Sequence, residues 1–249
     1  MHLDVIDLKD FYDSRLGRIA RRFLRRRLRA IWPDLRGERL LGLGYATPYL
    51  RPFLDEAERT FAIMPSAQGV LHWPVEGPNR TALAASDQLP LPDRAMDRIL
   101  LVHELEAADH ISHLLRESWR VLADSGRLVL IVPNRRGLWG RFDHTPFGAG
   151  RPFSTGQTTR LLRDTMFQPI SVETALFVPP IRSRVFLSTA PLWEKIGQRF
   201  FATFGGAVIV EARKQLYAMT GVEARATRRR RALKAATGVR GAGATRDSA

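Results

Sequence analysis

The 249-residue sequence contains no cysteine, which excludes both a disulfide framework and a metal site built from thiolates. No stretch reaches the roughly 18 unbroken apolar residues that a membrane-spanning helix needs. The N-terminal residues Met1 to Asp4 also lack the basic start and continuous apolar core of a secretory signal. We therefore expect a cytoplasmic protein that uses no metal ion.

The net charge of +14 comes from two segments of the chain. Residues 15–39 carry ten arginines against two acidic residues, and residues 221–249 carry seven arginines and one lysine against two acidic residues. These segments contribute +8 and +6, so the middle of the chain is close to neutral. A near-neutral middle is typical of an enzyme that acts on small molecules and unlike a nucleic-acid groove that crosses a domain.

The first basic segment predicts an amphipathic helix or helix pair from Leu8 to Ile31, which Pro33 ends. Its apolar residues recur at helical spacing and its arginines fill the other face. The helix either packs on the domain with its arginines solvated, or contacts an anionic membrane surface or RNA. The second basic segment has no periodicity and predicts a disordered tail. Through both ends we expect weak, salt-sensitive polyanion binding.

Seven short apolar runs alternate with helical or loop segments. They are Leu40–Leu43, Thr60–Met64, Thr81–Ala85, Arg98–Val102, Arg127–Val132, Ile170–Leu176 and Ala207–Ala212. Such alternation predicts an α/β fold with a doubly wound, mostly parallel seven-stranded sheet. We divide the chain into an N-terminal helical segment (1–33), the α/β domain (34–219) and the basic tail (220–249).

The first strand ends in a turn with the shape of a nucleotide-binding loop. Gly42 and Gly44 lie at the end of the apolar run, and a helix opens near Thr47. A helix start presents free N–H groups to an anionic or polar ligand, and glycines let that ligand approach the backbone. Ala46 stands where a further glycine is expected, so the pattern also fits an ordinary strand-to-helix turn.

A set of ordered motifs follows this turn. They read D-x-L-P-x-P-D at 87–93, M-D-x-I at 96–99, L-E at 105–106, L-L-R-E-x-x-R-V-L at 114–122 and G-R-L-V-x-x-x-P-N at 126–134. In order and spacing the segment 35–167 resembles the class I S-adenosylmethionine-dependent methyltransferases, especially the small-molecule branch often called type 11. The resemblance implies the Rossmann-like fold of that family, with its last strand antiparallel and inserted next to an edge.

The resemblance also implies S-adenosylmethionine as cofactor and a set of binding positions. Gly42 and Met64 stand where the family carries two carboxylates, one in the glycine turn and one that binds the ribose hydroxyls. Asp87 and Gln88 match the position that meets the adenine amino group, and His103 matches the end of the fourth strand, near the methyl-transfer face. We assign the cofactor to Gly42, Gly44, Ala46, Met64, Asp87, Gln88 and His103.

A long loop, 134–154, separates the fifth strand from the next helix and is rich in aromatic and basic residues. Loops of this length in compact domains are usually functional or disordered, and its aromatics argue against disorder. We assign substrate contacts to Arg135, Arg136, Trp139, Arg141 and His144. Either histidine, His103 or His144, could serve as a general base because imidazole titrates near neutral pH, or each could be structural.

Two hypotheses for the function result. The first is a methyltransferase that holds S-adenosylmethionine and methylates an unidentified, small-molecule acceptor. The second is a catalytically inactive, methyltransferase-like binding or scaffold protein, which the absent carboxylates at Gly42 and Met64 favour. A side chain such as Trp73 or Met64 that fills the adenosine cleft would support the second hypothesis, and an open cleft would count against it.

Overall fold

Two consecutive helices begin the chain in the computed structural model, which describes residues 3–181, 183 and 187–216. Helix α1 spans Val5–Asp13 and helix α2 spans Arg15–Ile31, so the basic segment is a helix pair. Asp4 caps α1, and Ser14 separates the two helices and caps α2. The predicted basic tail, 220–249, lies outside the described residues.

A single sheet of seven strands forms the centre of the described part of the chain. The strands are β1 (Arg39–Gly44), β2 (Arg59–Met64), β3 (Thr81–Leu83), β4 (Met96–Val102), β5 (Leu122–Pro133), β6 (Phe167–Ala175) and β7 (Ala207–Lys214). Their order is β3-β2-β1-β4-β5-β7-β6. Strands β1 to β5 pair in parallel, and β7 runs antiparallel between β5 and β6. The predicted fold class is confirmed, including the inserted antiparallel strand.

Four further helices connect or flank the strands in the described residues. They are α3 (Thr47–Leu50), α4 (Ile111–Val121), α5 (Thr155–Asp164) and α6 (Ala190–Phe200). Helix α5 begins with a capping box between Ser154 and Gln157. The link between β2 and β3 contains no helix among its described residues, because its prolines and glycines cannot support one.

The sheet is covered on both faces, and successive residues of β1 point to opposite layers. Leu40 packs in a cluster with the buried side of α1 and α2, whereas Leu41 and Leu43 pack in a second cluster with α4 and α5. Leu16, Leu24 and the other apolar residues of α2 are therefore part of the core. The apolar face of this helix is not available for insertion into lipid.

Asp97, within the M-D-x-I motif, joins the starts of β1 and β4. Its carboxylate accepts hydrogen bonds from the Arg39 backbone N–H (3.0 Å), from Nε (2.8 Å) and from Nη2 (3.1 Å). Partial burial alone would raise the pKa of Asp97, but these hydrogen bonds outweigh it and hold the pKa below its usual value. The motif residue thus fixes the register of two central strands.

We expect Asp97→Asn to lower the free energy of unfolding by about 1 kcal/mol at neutral pH, because one charge-assisted pair is lost from a half-exposed site. A carboxylate with a depressed folded-state pKa stabilises above its unfolded-state pKa of about 3.9 and loses this contribution as pH falls through the folded-state pKa. Urea unfolding should therefore show the difference shrinking below about pH 4. Asp55→Asn, at an exposed position, is the control, and a pH-independent difference would contradict this assignment.

Candidate functional site

The carboxyl ends of β1, β2 and β4 meet at one edge of the sheet, here called the carboxyl edge. Strand order reverses between β1 and β4, since β2 and β3 lie on one side of β1 and β4 and β5 on the other. In open α/β sheets ligands bind outside the carboxyl ends of the strands at such a reversal. Gly44, Met64 and His103 end or follow these strands, so the structure brings these three predicted residues together.

The two glycines of the first turn are both required by close packing. A side chain at Gly42 would lie 2.7 Å from Ala46 Cβ and from Leu50 Cδ1, so Gly42 lets α3 approach β1. Gly44 has a φ of +72°, and a side chain there would overlap the carbonyl oxygen of Val102. The next N–H, that of Tyr45, donates to the same carbonyl at 2.9 Å. The turn is thus held against β4 by its own backbone.

Helix α1 lies over the carboxyl edge. The Val5 N–H donates to the Gln68 carbonyl oxygen after β2 at 2.8 Å, and the ring of Tyr12 stacks on that of Tyr45 after β1, with centroids 5.7 Å apart. Leu8 belongs to the same buried cluster, as does Met64 at the end of β2. Helix α1 therefore packs against the segments that follow β1 and β2.

A chain of buried hydrogen bonds connects α1 to the end of β4. The Tyr49 hydroxyl donates to the Tyr12 hydroxyl at 2.8 Å, and Tyr12 lies 2.7 Å from His103 Nε2. On its other side His103 Nδ1 lies 3.1 Å from Glu106 Oε1. Burial raises the pKa of Tyr12 well above its usual value, so its hydroxyl stays protonated and can donate to His103.

The donor and acceptor roles in this chain of hydrogen bonds assign a tautomer to His103. Because Nε2 accepts from Tyr12, the ring proton resides on Nδ1, where the Glu106 carboxylate accepts it. His103 is buried and has a φ of +55°, a conformation uncommon for a residue with a side chain. Nε2 is thus an acceptor directed at α1. Withdrawal of Tyr12 would free it to accept a proton from another molecule.

The other predicted cofactor residues lie further along the same edge or within the fold. Ala46 is fully buried before α3. Asp87 and Gln88 follow β3, which pairs with β2, and they are half-buried and exposed respectively. A cavity lined by His103 measures about 10 Å³, which is room for one water at most.

The long loop after β5 is anchored to the fold at several points. Trp139 is fully buried and its Nε1–H donates to the Val178 carbonyl oxygen at 2.8 Å, so this indole is a core side chain. Phe147 is also buried, with its ring 5.0 Å from that of His103. The predicted substrate residues Arg135, Arg136, Arg141 and His144 are exposed.

A cavity of about 470 Å³ lies on the outer side of α1. Phe11, Leu16, His144 and Leu187 line it together with the polar residues Asp7, Asp10, Ser14 and Arg15. Its volume is in the range of small-molecule sites. His144 is at this cavity whereas His103 does not line it, so the structure separates the two candidate bases. Three segments distant in the chain form the cavity, which is why no local sequence pattern indicated it.

The described residues contain no group of three or more His, Asp or Glu side chains arranged to hold a metal ion. Among the helices of the same ranges, none is long and apolar enough to cross a membrane.

Tyr12→Phe should lower the free energy of unfolding by about 1–3 kcal/mol, because it leaves the Tyr49 hydroxyl and His103 Nε2 buried without their partner. Tyr45→Phe is the matched control, since Tyr45 stacks on Tyr12 and lies outside the hydrogen-bond chain. Urea unfolding of both variants tests this. Equal midpoints for the two variants would show that the hydrogen-bond chain contributes no stability.

Comparison with known proteins gives a domain match and a shared fold. Residues 41–130 match a family model described as a methyltransferase domain. A S-adenosylmethionine-dependent methyltransferase from Thermotoga maritima is 18% identical, with a TM-score of 0.56 over 85% of this chain and 96% of that one. One from Archaeoglobus fulgidus is 16% identical, with a TM-score of 0.56 over 78% and 94% of the two chains.

A third similar structure is a complex from Haloferax volcanii that contains the Trm112 methyltransferase activator. The matching chain of that complex is 16% identical in sequence, with a TM-score of 0.57 over 85% of this chain and 99% of that one. At such low identity these structures show the fold. No curated protein sequence matches the chain.

Proposed function

We propose that the chain is a class I S-adenosylmethionine-dependent methyltransferase, an enzyme that methylates a small-molecule acceptor. S-Adenosylmethionine is the cofactor of the family. The observation that carries the proposal is the match over residues 41–130, which spans β1 to most of β5 in a sheet with the strand order of the fold. The near-neutral middle of the chain favours a small acceptor over a nucleic acid.

The cofactor does not fit the carboxyl edge in the described arrangement. Tyr12 packs on Tyr45 after β1 and contacts His103 after β4, Val5 is hydrogen-bonded to Gln68 after β2, and the cavity lined by His103 has the size of a water molecule. At the end of β2 the buried Met64 offers no acceptor for hydroxyl groups. We therefore infer that this is a closed form of the protein, and that α1 leaves the carboxyl edge before the cofactor binds.

The connections of α1 are compatible with withdrawal as a unit. The helix has nine residues and is joined to α2 through Ser14. Apart from apolar packing, it is held at the edge by the hydrogen bonds of Val5 to Gln68 and of Tyr12 to its two partners. If only a fraction of molecules is open, the apparent dissociation constant equals the intrinsic constant divided by that fraction.

Residues of the carboxyl edge retain their proposed roles in the open form. Asp87 and Gln88 are the proposed adenine contacts, and backbone groups of the turn from Gly44 to Ala46 are proposed to face the cofactor. His103, with its proton held on Nδ1 by Glu106, is the proposed base through Nε2. Arg135, Arg136 and Arg141 are proposed to attract an acidic acceptor.

We expect Tyr12→Ala to bind S-adenosylhomocysteine at least tenfold more tightly than the unaltered protein, because it removes the ring from the carboxyl edge and raises the open fraction. Isothermal titration calorimetry measures the dissociation constants. Phe11→Ala is the matched control, since Phe11 lies on the same helix and lines the outer cavity. Asp87→Ala should weaken binding in the Tyr12→Ala background.

Circular dichroism and thermal unfolding establish that each variant is folded before titration. No heat from either protein at millimolar ligand would contradict the proposal. That result would favour the second candidate, a methyltransferase-like binding module without catalysis. Tyr12 and Met64 at the carboxyl edge are the observations that favour this second candidate.

A further inference from the structure

Helix α6 has its polar and apolar faces reversed relative to an ordinary surface helix. Its buried residues are Ala190, Glu194 and Gly197, so the inward face carries a carboxylate and two small residues. Its bulky apolar residues point outward instead: Leu192 is 57% exposed and Phe200 is 68% exposed, with Ile196 exposed between them. Positions 192, 196 and 200 are each one helical turn apart and therefore share one face.

Specific contacts with the core fix this orientation. The Glu194 carboxylate accepts hydrogen bonds from the N–H groups of Leu176 (3.3 Å) and Phe177 (2.9 Å), which follow β6. Gly197 leaves the space that the ring of Phe177 occupies, and any side chain there would overlap this ring. A rotation that turned the apolar face inward would break both contacts, so the helix is held with its apolar residues toward solvent.

The exposed apolar surface continues past the end of α6. A 3-10 turn, Ala202–Phe204, follows the helix, and Phe201 and Phe204 are 54% and 55% exposed. We call the whole surface the α6 stripe. It consists of Leu192, Trp193, Ile196, Phe200, Phe201 and Phe204. Contiguous exposed aromatic and aliphatic residues of this kind mark an interaction site.

Basic residues border the α6 stripe, and the exposed surface of α6 carries no acid. Glu194 is the one acidic residue of the helix and it is buried, whereas Lys195 and Arg199 are exposed. A groove of about 200 Å³ between α2 and α6 is lined by Lys195, by Arg26 and Arg27 of α2, and by the largely buried Glu194, whose carboxylate is occupied by the N–H groups of Leu176 and Phe177. Arg27 pairs with Glu173 at 3.4 Å, which leaves Arg26 and Lys195 to face an anion.

We propose that the α6 stripe docks the protein on the surface of an anionic lipid bilayer. Phenylalanine, leucine and isoleucine would enter the boundary between headgroups and acyl chains, and the bordering lysine and arginines would contact lipid phosphates. The net charge of +14 complements such a surface. A stripe without exposed acid and with cations on its border fits a lipid phosphate layer better than the mixed charges of a protein surface.

The two basic helices then have different parts in docking. The apolar face of α2 is buried in the core, so α2 contributes only the charge of its exposed arginines. Helix α6 contributes the apolar side chains that α2 cannot supply. In the proposed docking, the arginines of α2 attract the anionic lipids and the apolar side chains of α6 enter the bilayer. The two helices meet at the groove.

Co-sedimentation of the full chain with vesicles tests the proposal. Vesicles of phosphatidylcholine with phosphatidylglycerol should bind the protein, and vesicles of phosphatidylcholine alone should bind it at least tenfold more weakly. The triple variant Leu192→Ser/Ile196→Ser/Phe200→Ser should lose at least tenfold in partitioning to the anionic vesicles. Val75→Ser/Leu83→Ser is the matched control, since these apolar residues are 80% and 48% exposed away from the stripe.

Tryptophan fluorescence gives a second readout that does not depend on methylation. Of the five tryptophans, all described, Trp193 is the most exposed, so its emission should shift to the blue on anionic vesicles. Arg26→Glu/Lys195→Glu should reduce binding to anionic vesicles and leave unfolding unchanged. These assays report on docking whether or not the protein binds S-adenosylhomocysteine.

Four outcomes would overturn the proposal. One is the absence of binding to anionic vesicles, and another is binding that the triple Ser variant retains. A third is binding lost on deletion of residues 221–249 and unaffected by the Ser substitutions, which would assign it to the basic tail. The fourth is a dimer of the unaltered protein that becomes a monomer in the triple variant without lipid, since the stripe would then join two copies of the chain.

Discussion

The hydroxyl of Tyr12 is the contact on which the arrangement of the carboxyl edge depends. It accepts from Tyr49 after β1 and donates to His103 after β4, so one side chain of α1 joins both strands at the reversal of strand order. The same contact holds His103 in one tautomer and places α1 over the carboxyl edge, where we propose that the cofactor binds. Tyr12 therefore stabilises the fold and, under the proposed function, also blocks access of the cofactor to the carboxyl edge.

The glycine turn shows how a binding motif can keep its shape while its residues contribute to packing. Gly42 admits α3 and Gly44 admits the backbone of β4, so both glycines would be needed without any ligand. Gly42 and Met64 stand where the resemblance led us to expect carboxylates, and Met64 joins the core cluster that includes residues of α1. The carboxyl edge is thus continuous with the hydrophobic core in this structure.

The exposed positive charge and the exposed apolar surface of this protein come from different helices. The arginines of α2 lie on the outer side of a helix whose apolar face covers the sheet. The apolar surface that could join them in an interaction comes from α6, where a buried glutamate and a glycine hold the helix with its apolar face outward. Charge and apolar area reach the same region of the surface from two segments about 170 residues apart.

The sequence by itself determined the strands, the fold class and the match to a methyltransferase domain over residues 41–130, because apolar runs and turn residues act locally and a motif set has a fixed spacing. The seven apolar runs correspond to the seven strands, and Asp97 of the M-D-x-I motif accepts a hydrogen bond from Arg39. The tertiary structure alone decided that α1 fills the carboxyl edge, that Trp139 is a core residue and that the apolar face of α6 points outward. Tyr12 and His103 are 91 residues apart, and Glu194 and Phe177 are 17 apart. Contacts between residues so far apart in the chain depend on how the helices and strands pack together. A local sequence pattern does not predict this packing.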